Sequence, residues 1–523
     1  MRLKITPPPR DPISKGGKHL SVVFFYLPFI VLLLFVYPSI GQPHIIAINT
    51  GEATVLNQTG QLYDAGDEGF PATSAEIAHF IAKRQAISEI SLFGGHYWYY
   101  VELNNKTAIT NWVMNPAGTL IENVAIKLYS EDGSIQSVKT GYTAERDYML
   151  HYGKKLSLPP GASAKLLLRF ESPYFASFPD FEWLSAASFK QRVAWENVLT
   201  LLAFGALLTL ALYNLFIFIT TRDKAYIYYS AYLVAYFLAW AFTFHLPAEL
   251  FNFHNLQLHY IPFFLLPILN TLFYMEFLGL KTRFPRLAAL SRVNYWLPLL
   301  LLPSCFIALP YAHMLATVVI SYWLVMALIS SITCMRSGFR PARYFVFAFI
   351  ALLIPGIIIL PANLGLLPDL VRNSELFTLI GGTFDAIILA LALADKIRIL
   401  ASEKDQALQN MSKMLTITRT DHLTGIANRH AFDQDFNKLF DAPPPELSSP
   451  QKILYLIDLD GMKRINDTHG PLRGDHLLCT ITAGYTALVV MNSPSLQRLR
   501  TKKRSIWPLP ILKKNCVKAS IEG

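Results

Sequence analysis

Residues 198–225 read VLTLLAFGALLTLALYNLFIFITTRDKA, with no charged side chain before Arg222. An α-helix needs a run of about that length to cross a bilayer, where every backbone amide must be satisfied inside the segment. Comparable runs follow, and they predict spans at about 198–220, 226–246, 259–280, 294–312, 314–335, 344–362 and 376–394. Basic residues collect on alternate loops. Arg222 and Lys224, beside Asp223, lie in the first; Lys281, Arg283, Arg286 and Arg292 in the third; Arg336, Arg340 and Arg343 in the fifth. The loops between them hold Glu249, then no charge, then Asp369, Arg372 and Glu375. Short loops rich in Lys and Arg stay cytoplasmic, so the first span starts outside and the seventh ends inside.

The whole composition agrees. The 523 residues are 53% apolar and only 16% charged, against roughly a quarter charged in soluble domains. That excludes a purely soluble protein, and with it collagen-like, coiled-coil-only and fully disordered chains. The net charge of +10 belongs to the cytoplasmic loops and gives no reason to expect a nucleic-acid partner. The cysteines are Cys305, Cys334, Cys479 and Cys516, none of them between 42 and 195, so a disulfide framework is excluded there.

Upstream, Arg2, Lys4, Arg10, Lys15 and Lys18 precede an apolar run over about 20–36 and the small-residue site Ser39-Ile40-Gly41. Residues 1–41 read as a signal peptide or, since the run is nearly long enough to span, an uncleaved anchor. Either sends residue 42 onward across the membrane, in independent agreement with the loops. The exported stretch 42–194 has β patterning. Strands are expected at 96–103 (HYWYYVEL), 121–130 (IENVAIKLYS) and 163–170, with turns at Glu131-Asp132-Gly133-Ser134 and Pro159-Pro160-Gly161. Together they suggest an antiparallel sandwich. Trp98, Tyr99, Tyr100 and Trp112 are candidates to stack on a ligand, although alternation between core and surface is the simpler reading. No His, Cys or carboxylate cluster there has metal spacing.

These residues carry a resemblance. Residues 202–225 with Tyr226-Ile227-Tyr228-Tyr229 resemble the first two helices of the bacterial seven-transmembrane receptors with diverse intracellular signalling modules. The exported sandwich, with its Tyr97-Trp98 strand, resembles the extracellular domain of that group. The resemblance covers about 42–395. It implies a periplasmic sensor for an unknown ligand, with carbohydrate among the classes to consider, wired through seven helices to a cytoplasmic output. Within the spans, Glu276, His245 and Asp385 are the main ionisable groups. Glu276 lies close enough to Lys281 to snorkel to the interface, whereas Asp385, in Gly381-Gly382-Thr383-Phe384-Asp385, sits deeper and suits a structural or signalling hydrogen bond. A transporter would show more polar groups and an internal repeat, and none is found.

Beyond the last span, 396–417 contains neither Gly nor Pro. Ile397, Leu400, Ala407, Met411 and Met414 fall near a/d spacing, which predicts a homodimeric coiled coil; an amphipathic helix lying on its own domain is the other reading. Then Thr420-Asp421-His422-Leu423-Thr424-Gly425-Ile426-Ala427-Asn428-Arg429 forms a helix-to-helix junction. It resembles the D-x-L-T-G-x-x-N-R opening of the GGDEF family of diguanylate cyclases. A strand at 452–457 runs into Asp458-Leu459-Asp460, followed by Lys463-Arg464-Ile465-Asn466-Asp467 and Gly470-Pro471-Leu472-Arg473-Gly474-Asp475. The family patterns are D-x-D-x-F-K-x-I-N-D and G-H-x-x-G-D, and Met462 and Pro471 depart from them. The resemblance implies that Asp458 and the Leu459 carbonyl hold Mg²⁺ on the GTP triphosphate, and that Asn466 and Asp475 hydrogen-bond guanine. Intact relatives condense two GTP into cyclic di-GMP.

The G-G-[DE]-E-F signature that should follow is absent from the 523 residues: after Asp475 the glycines are Gly484 and Gly523. With it go the turn that approaches substrate and the second metal carboxylate, so no complete catalytic set is present. Residues 493–523 are basic and patternless. They are expected to be foreign to the domain, as a truncated or frameshifted frame would be; a basic tail for a membrane surface or nucleic acid is the other reading. The expected architecture is therefore a multi-domain inner-membrane protein. An all-β periplasmic sandwich (42–194) leads to a seven-helix transmembrane bundle (195–395), a signalling helix (396–420), an incomplete α/β GGDEF-type domain (421–482) and a basic tail (483–523). The expected function is a sensor of the diguanylate cyclase lineage that is itself inactive, with a non-catalytic receptor acting on partners as the alternative.

Overall fold

The computed structural model describes residues 45–440, except 67, 119, 368 and 369, and residues 457–491. The export segment, the tail from 493 and all of the expected strand at 452–457 but Ile457 lie outside the described residues. The chain divides into two compact units after Lys396.

The exported part of the first unit is a two-sheet sandwich. Its strands are β1 (Ile46–Ile48), β2 (Thr54–Val55), β3 (Gln61–Asp64), β4 (Ala86–Ile87), β5 (Gly95–Asn105), β6 (Asn111–Ala117), β7 (Asn123–Ser130), β8 (Ile135–Thr140), β9 (Lys154–Ser157), β10 (Ser163–Ser172) and β11 (Asp180–Ser185). One sheet runs β4-β3-β5-β10-β7-β8, with β1 pairing parallel to the far end of β5; the other runs β2-β11-β6-β9. The turn between β7 and β8 places Gly133 at φ 82°, a left-handed conformation suited to glycine, and its N–H donates to Ser130. Tyr99, Val101, Leu103, Ile126, Leu166, Trp112 and Trp183 fill the space between the sheets.

The outer face of β5 is covered as well, which corrects the expected alternation of core and surface. Helix α1 (Glu76–Ala82) lays Ile77 and Phe80 across it. Phe70 and Phe80 meet the Trp98 ring edge-on, with centroids 4.8 and 5.0 Å away. Trp98, Tyr99, Tyr100 and Trp112 are all buried, so none is presented to a ligand.

Among the described residues seven helices are long and apolar enough to cross a membrane: Ala186–Thr221, Lys224–Thr243, Leu256–Phe277, Pro285–Ile307, Leu309–Arg336, Ala342–Asn363 and Ser374–Met414. The first begins earlier than its apolar run because β11 turns directly into it, with the Ser185 hydroxyl accepting from the Ser188 N–H as an N-cap. The second stops at Thr243, so His245 stands outside the helix in a left-handed cap at φ 58°. The turn between the fourth and fifth spans falls at Ala308 rather than near 313, and Pro310 sits in the first turn of the fifth helix, where its missing N–H costs nothing. Glu276 is exposed near the end of the third span, in keeping with a snorkelling side chain.

The second span holds the seventh by its tyrosines. The hydroxyls of Tyr226, Tyr229 and Tyr236 donate to the main-chain carbonyls of Leu393, Ala386 and Thr378 at 3.2, 2.5 and 2.9 Å. Asp385 is fully buried and faces the Tyr232 phenol. Gly382 makes this approach possible, and Gly381 does the same for the sixth span, which carries Pro355. A methyl at Gly381 would meet the Pro355 ring at 2.6 Å, and one at Gly382 would collide with the Tyr236 hydroxyl. Gly382→Ala should therefore cost about 1–3 kcal/mol as overpacking. Gly205→Ala, with nothing within 4 Å of the new methyl, should be neutral or better. Thermal midpoints of the two variants in nanodiscs check this, and equal midpoints would contradict the clamp.

Candidate functional site

The cytoplasmic junction is built by hydrogen bonds that its residue types dictate. Asp421 Oδ1 accepts from the N–H groups of Leu423 and Thr424 at 3.2 and 2.9 Å and from the Thr424 hydroxyl at 2.8 Å. The Thr424 amide is the main reason that the Asp421 carboxylate is held below its ordinary range. Gly425, at φ 71°, closes the turn by donating to the Asp421 carbonyl. Asn428 caps the next helix, Arg429–Phe440, through the Ala431 N–H at 3.0 Å. One nitrogen of Arg419, Nη2, donates to both carboxylate oxygens of Asp435 at 2.8 and 2.7 Å, while Nη1 donates to Gln434 at 2.9 Å. The D-x-L-T-G-x-x-N-R stretch is thus a rigid turn, with its polar groups spent on geometry rather than chemistry.

Asp458 is exposed, and its Oδ1 takes the Leu459 N–H at 3.0 Å; the next helix, Met462–His469, starts after Gly461. Asn466 lies on that helix and Asp475 on the following one, Pro471–Met491. The two helices pack so that the Asn466 amide oxygen lies against the α-carbon of Gly474, where any side chain would collide with it. Glycine at 474, one residue before Asp475, thereby makes room for the Asn466 side chain. Among the described residues no group of three or more His, Cys, Asp and Glu side chains is placed to hold a metal.

A second polar cluster sits at the seam between sandwich and bundle, and the sequence reading missed it. Glu182 of β11 is 2% exposed. Its Oε2 accepts from Arg192 of the first span at 2.7 Å and from Asn115 of β6 at 3.0 Å. Its Oε1 accepts from Arg372, two residues ahead of the seventh span, at 2.7 Å. Asn373 donates to Glu196 of the first span at 3.0 Å. These residues and His151 line a cavity of about 80 Å³. Burial is the chief cause holding the His151 imidazole down at about 4. The seam extends through hydrogen bonds of Tyr152 with His245 at 2.6 Å and of Tyr174 with His259 at 2.7 Å. An acid in the otherwise apolar strand FEWLS was the available signal, paired with the single base on the neutral outer loop.

Comparison with protein families supplies what geometry alone does not. Residues 57–180 match the 7TMR-DISM extracellular 2 family, 196–396 the 7TM diverse intracellular signalling family, and 418–500 the diguanylate cyclase GGDEF domain. No curated protein matches the chain. The three matches follow one another in the order that the topology requires: exported sandwich, seven spans, cytoplasmic domain. The chain is an inner-membrane, multi-pass sensor that joins a 7TMR-DISM extracellular domain and its seven-helix bundle to a GGDEF-family domain.

Proposed function

We propose that the protein senses a periplasmic ligand and passes the state of its bundle through the seventh helix to a GGDEF-type module that does not itself condense GTP. The observation that carries the reading is the helix Ser374–Arg419, which begins beside Arg372 and ends at the D-x-L-T-G junction without a break. A continuous helix transmits rotation or register with little loss. Its cytoplasmic part exposes Ile397, Leu400, Leu408, Met411 and Met414, the kind of stripe that a second copy of the chain would cover in a homodimer.

Full cyclases of this lineage bring two GTP-loaded subunits together, and the 3′-hydroxyl of each attacks the α-phosphate of the other, releasing pyrophosphate. On the present chain Asn466 and Asp475 would orient guanine, and Asp458 with the Leu459 carbonyl would hold Mg²⁺. The ion would neutralise charge on the triphosphate. One carboxylate is a thin ligand set for that task, and the residues that should approach the phosphates from the G-G-[DE]-E-F turn are absent from the sequence. Recognition of guanine without phosphate contacts is weak. GTP titrated onto the full chain in nanodiscs with Mg²⁺ should give a Kd near or above roughly 1 mM, the range of a few kcal/mol. Micromolar binding lost on Asn466→Ala or Asp475→Ala would contradict the reading.

A further inference from the structure

We propose that the ligand site of this sensor lies in the outer half of the seven-helix bundle and takes a small aromatic molecule carrying one uncharged hydrogen-bonding group. The inference deepens the sensor reading and rests on it. A cavity of about 100 Å³ opens between the second, third, fifth, sixth and seventh spans, and Leu120 and Ala176 of the exported domain close its outer end. That volume is of the order that holds a single ring, since a dry cavity of roughly 150 Å³ takes benzene.

The lining is graded. Thr243 and Asn363 are the last residues of the second and sixth spans, and His259 and Glu375 lie near the starts of the third and seventh, so apart from Thr317 and the Tyr236–Thr378 pair the polar side chains gather at the outer mouth. Deeper in, Trp240, Phe263 and Trp323 supply aromatic faces, while Leu324, Leu352 and Ile359 supply aliphatic ones. The Trp240 indole N–H is buried on this wall and finds no acceptor of ordinary geometry. An apolar chamber with a few polar groups at one end selects an amphiphile with a ring rather than a sugar, which would leave most of its hydroxyls unpaired. The four strand aromatics Trp98, Tyr99, Tyr100 and Trp112 offer no competing platform, because they are at most 6% exposed.

The position also gives the site an effect. Tyr236 and Thr378 both line the cavity, and they are the two partners of a hydrogen bond that clamps the seventh span. A molecule seated there touches the clamp directly and stabilises whichever arrangement of the signalling helix accommodates it.

The probe is 4-fluorophenol, followed by ¹⁹F NMR on the full chain in nanodiscs, with empty nanodiscs to measure partition into lipid. The expected result is a saturable component above partition, competed by unlabelled phenol, and no such competition by glucose. Gly356→Leu should weaken it at least tenfold, since the new side chain enters the cavity where a Cβ meets only ordinary contacts at 3.4 Å. Trp240→Phe, which keeps an aromatic face on the wall but removes the N–H and part of the ring surface, should weaken it several-fold and covers the case in which Gly356→Leu fails to fold. The absence of a saturable component would overturn the proposal, as would binding indifferent to both variants. Because binding is read directly, the result stands apart from any GTP chemistry.

Discussion

Replacing Glu182 by alanine should lower the thermal midpoint of the membrane-embedded chain by roughly 5–10 °C. The carboxylate is 2% exposed and answers Arg192, Arg372 and Asn115 at once. Removing one partner of a buried pair leaves the opposite charge without compensation, at a cost of about 3–5 kcal/mol. Arg372 is 47% exposed and recovers water, so its share is small, while Arg192, at 18%, carries most of the loss. A net cost of about 3 kcal/mol corresponds to that shift in a domain of a few hundred residues. Glu182→Gln keeps an acceptor for the same donors and should lose less. The exposed pair Arg84–Glu68 provides the contrast, since Glu68 is 64% exposed and Glu68→Ala should cost under about 1 kcal/mol. Equal shifts for Glu182→Ala and Glu68→Ala would show that the seam does not bind the sandwich to the first and seventh spans. Combining Glu182→Ala with Arg372→Ala should cost less than the sum, because the two share one interaction.

The spans, their orientation and the long strands were legible because each rests on local pattern. Residues 198–221 have no charge, and the alternation at 121–130 and the Glu131-Asp132-Gly133-Ser134 turn are adjacent in sequence and in space. The burial of Trp98 on the outer face of β5 was not legible, since it depends on Phe80 of a helix sixteen residues upstream folding back across the sheet. Glu182 and Arg372 are 190 residues apart, and nothing in either neighbourhood names the other. Tyr226 and Tyr229 entered the sequence reading only as part of a resemblance and Tyr236 not at all, because their acceptors are main-chain carbonyls of Leu393, Ala386 and Thr378, which every residue possesses. In the cytoplasmic unit, Asn466 and Asp475 were singled out by the family resemblance of the motifs that contain them. The close approach of Asn466 to Gly474 gives the glycine of G-x-x-G-D a steric reason that spacing alone does not contain.

The most direct test of the account is cyclic di-GMP formation by the 523-residue chain in membranes supplied with GTP and Mg²⁺. Asp458 provides one carboxylate from an exposed position. In such phosphoryl chemistry the rate comes mainly from preorganised charge around the triphosphate, and loss of a single essential contributor costs about 10²–10³-fold. Here the sequence lacks the whole turn that should supply several of them. On the proposed reading the signalling helix still pairs two chains, so dimers without product are the predicted outcome. GTP-dependent cyclic di-GMP that disappears on Asp458→Ala would contradict the account.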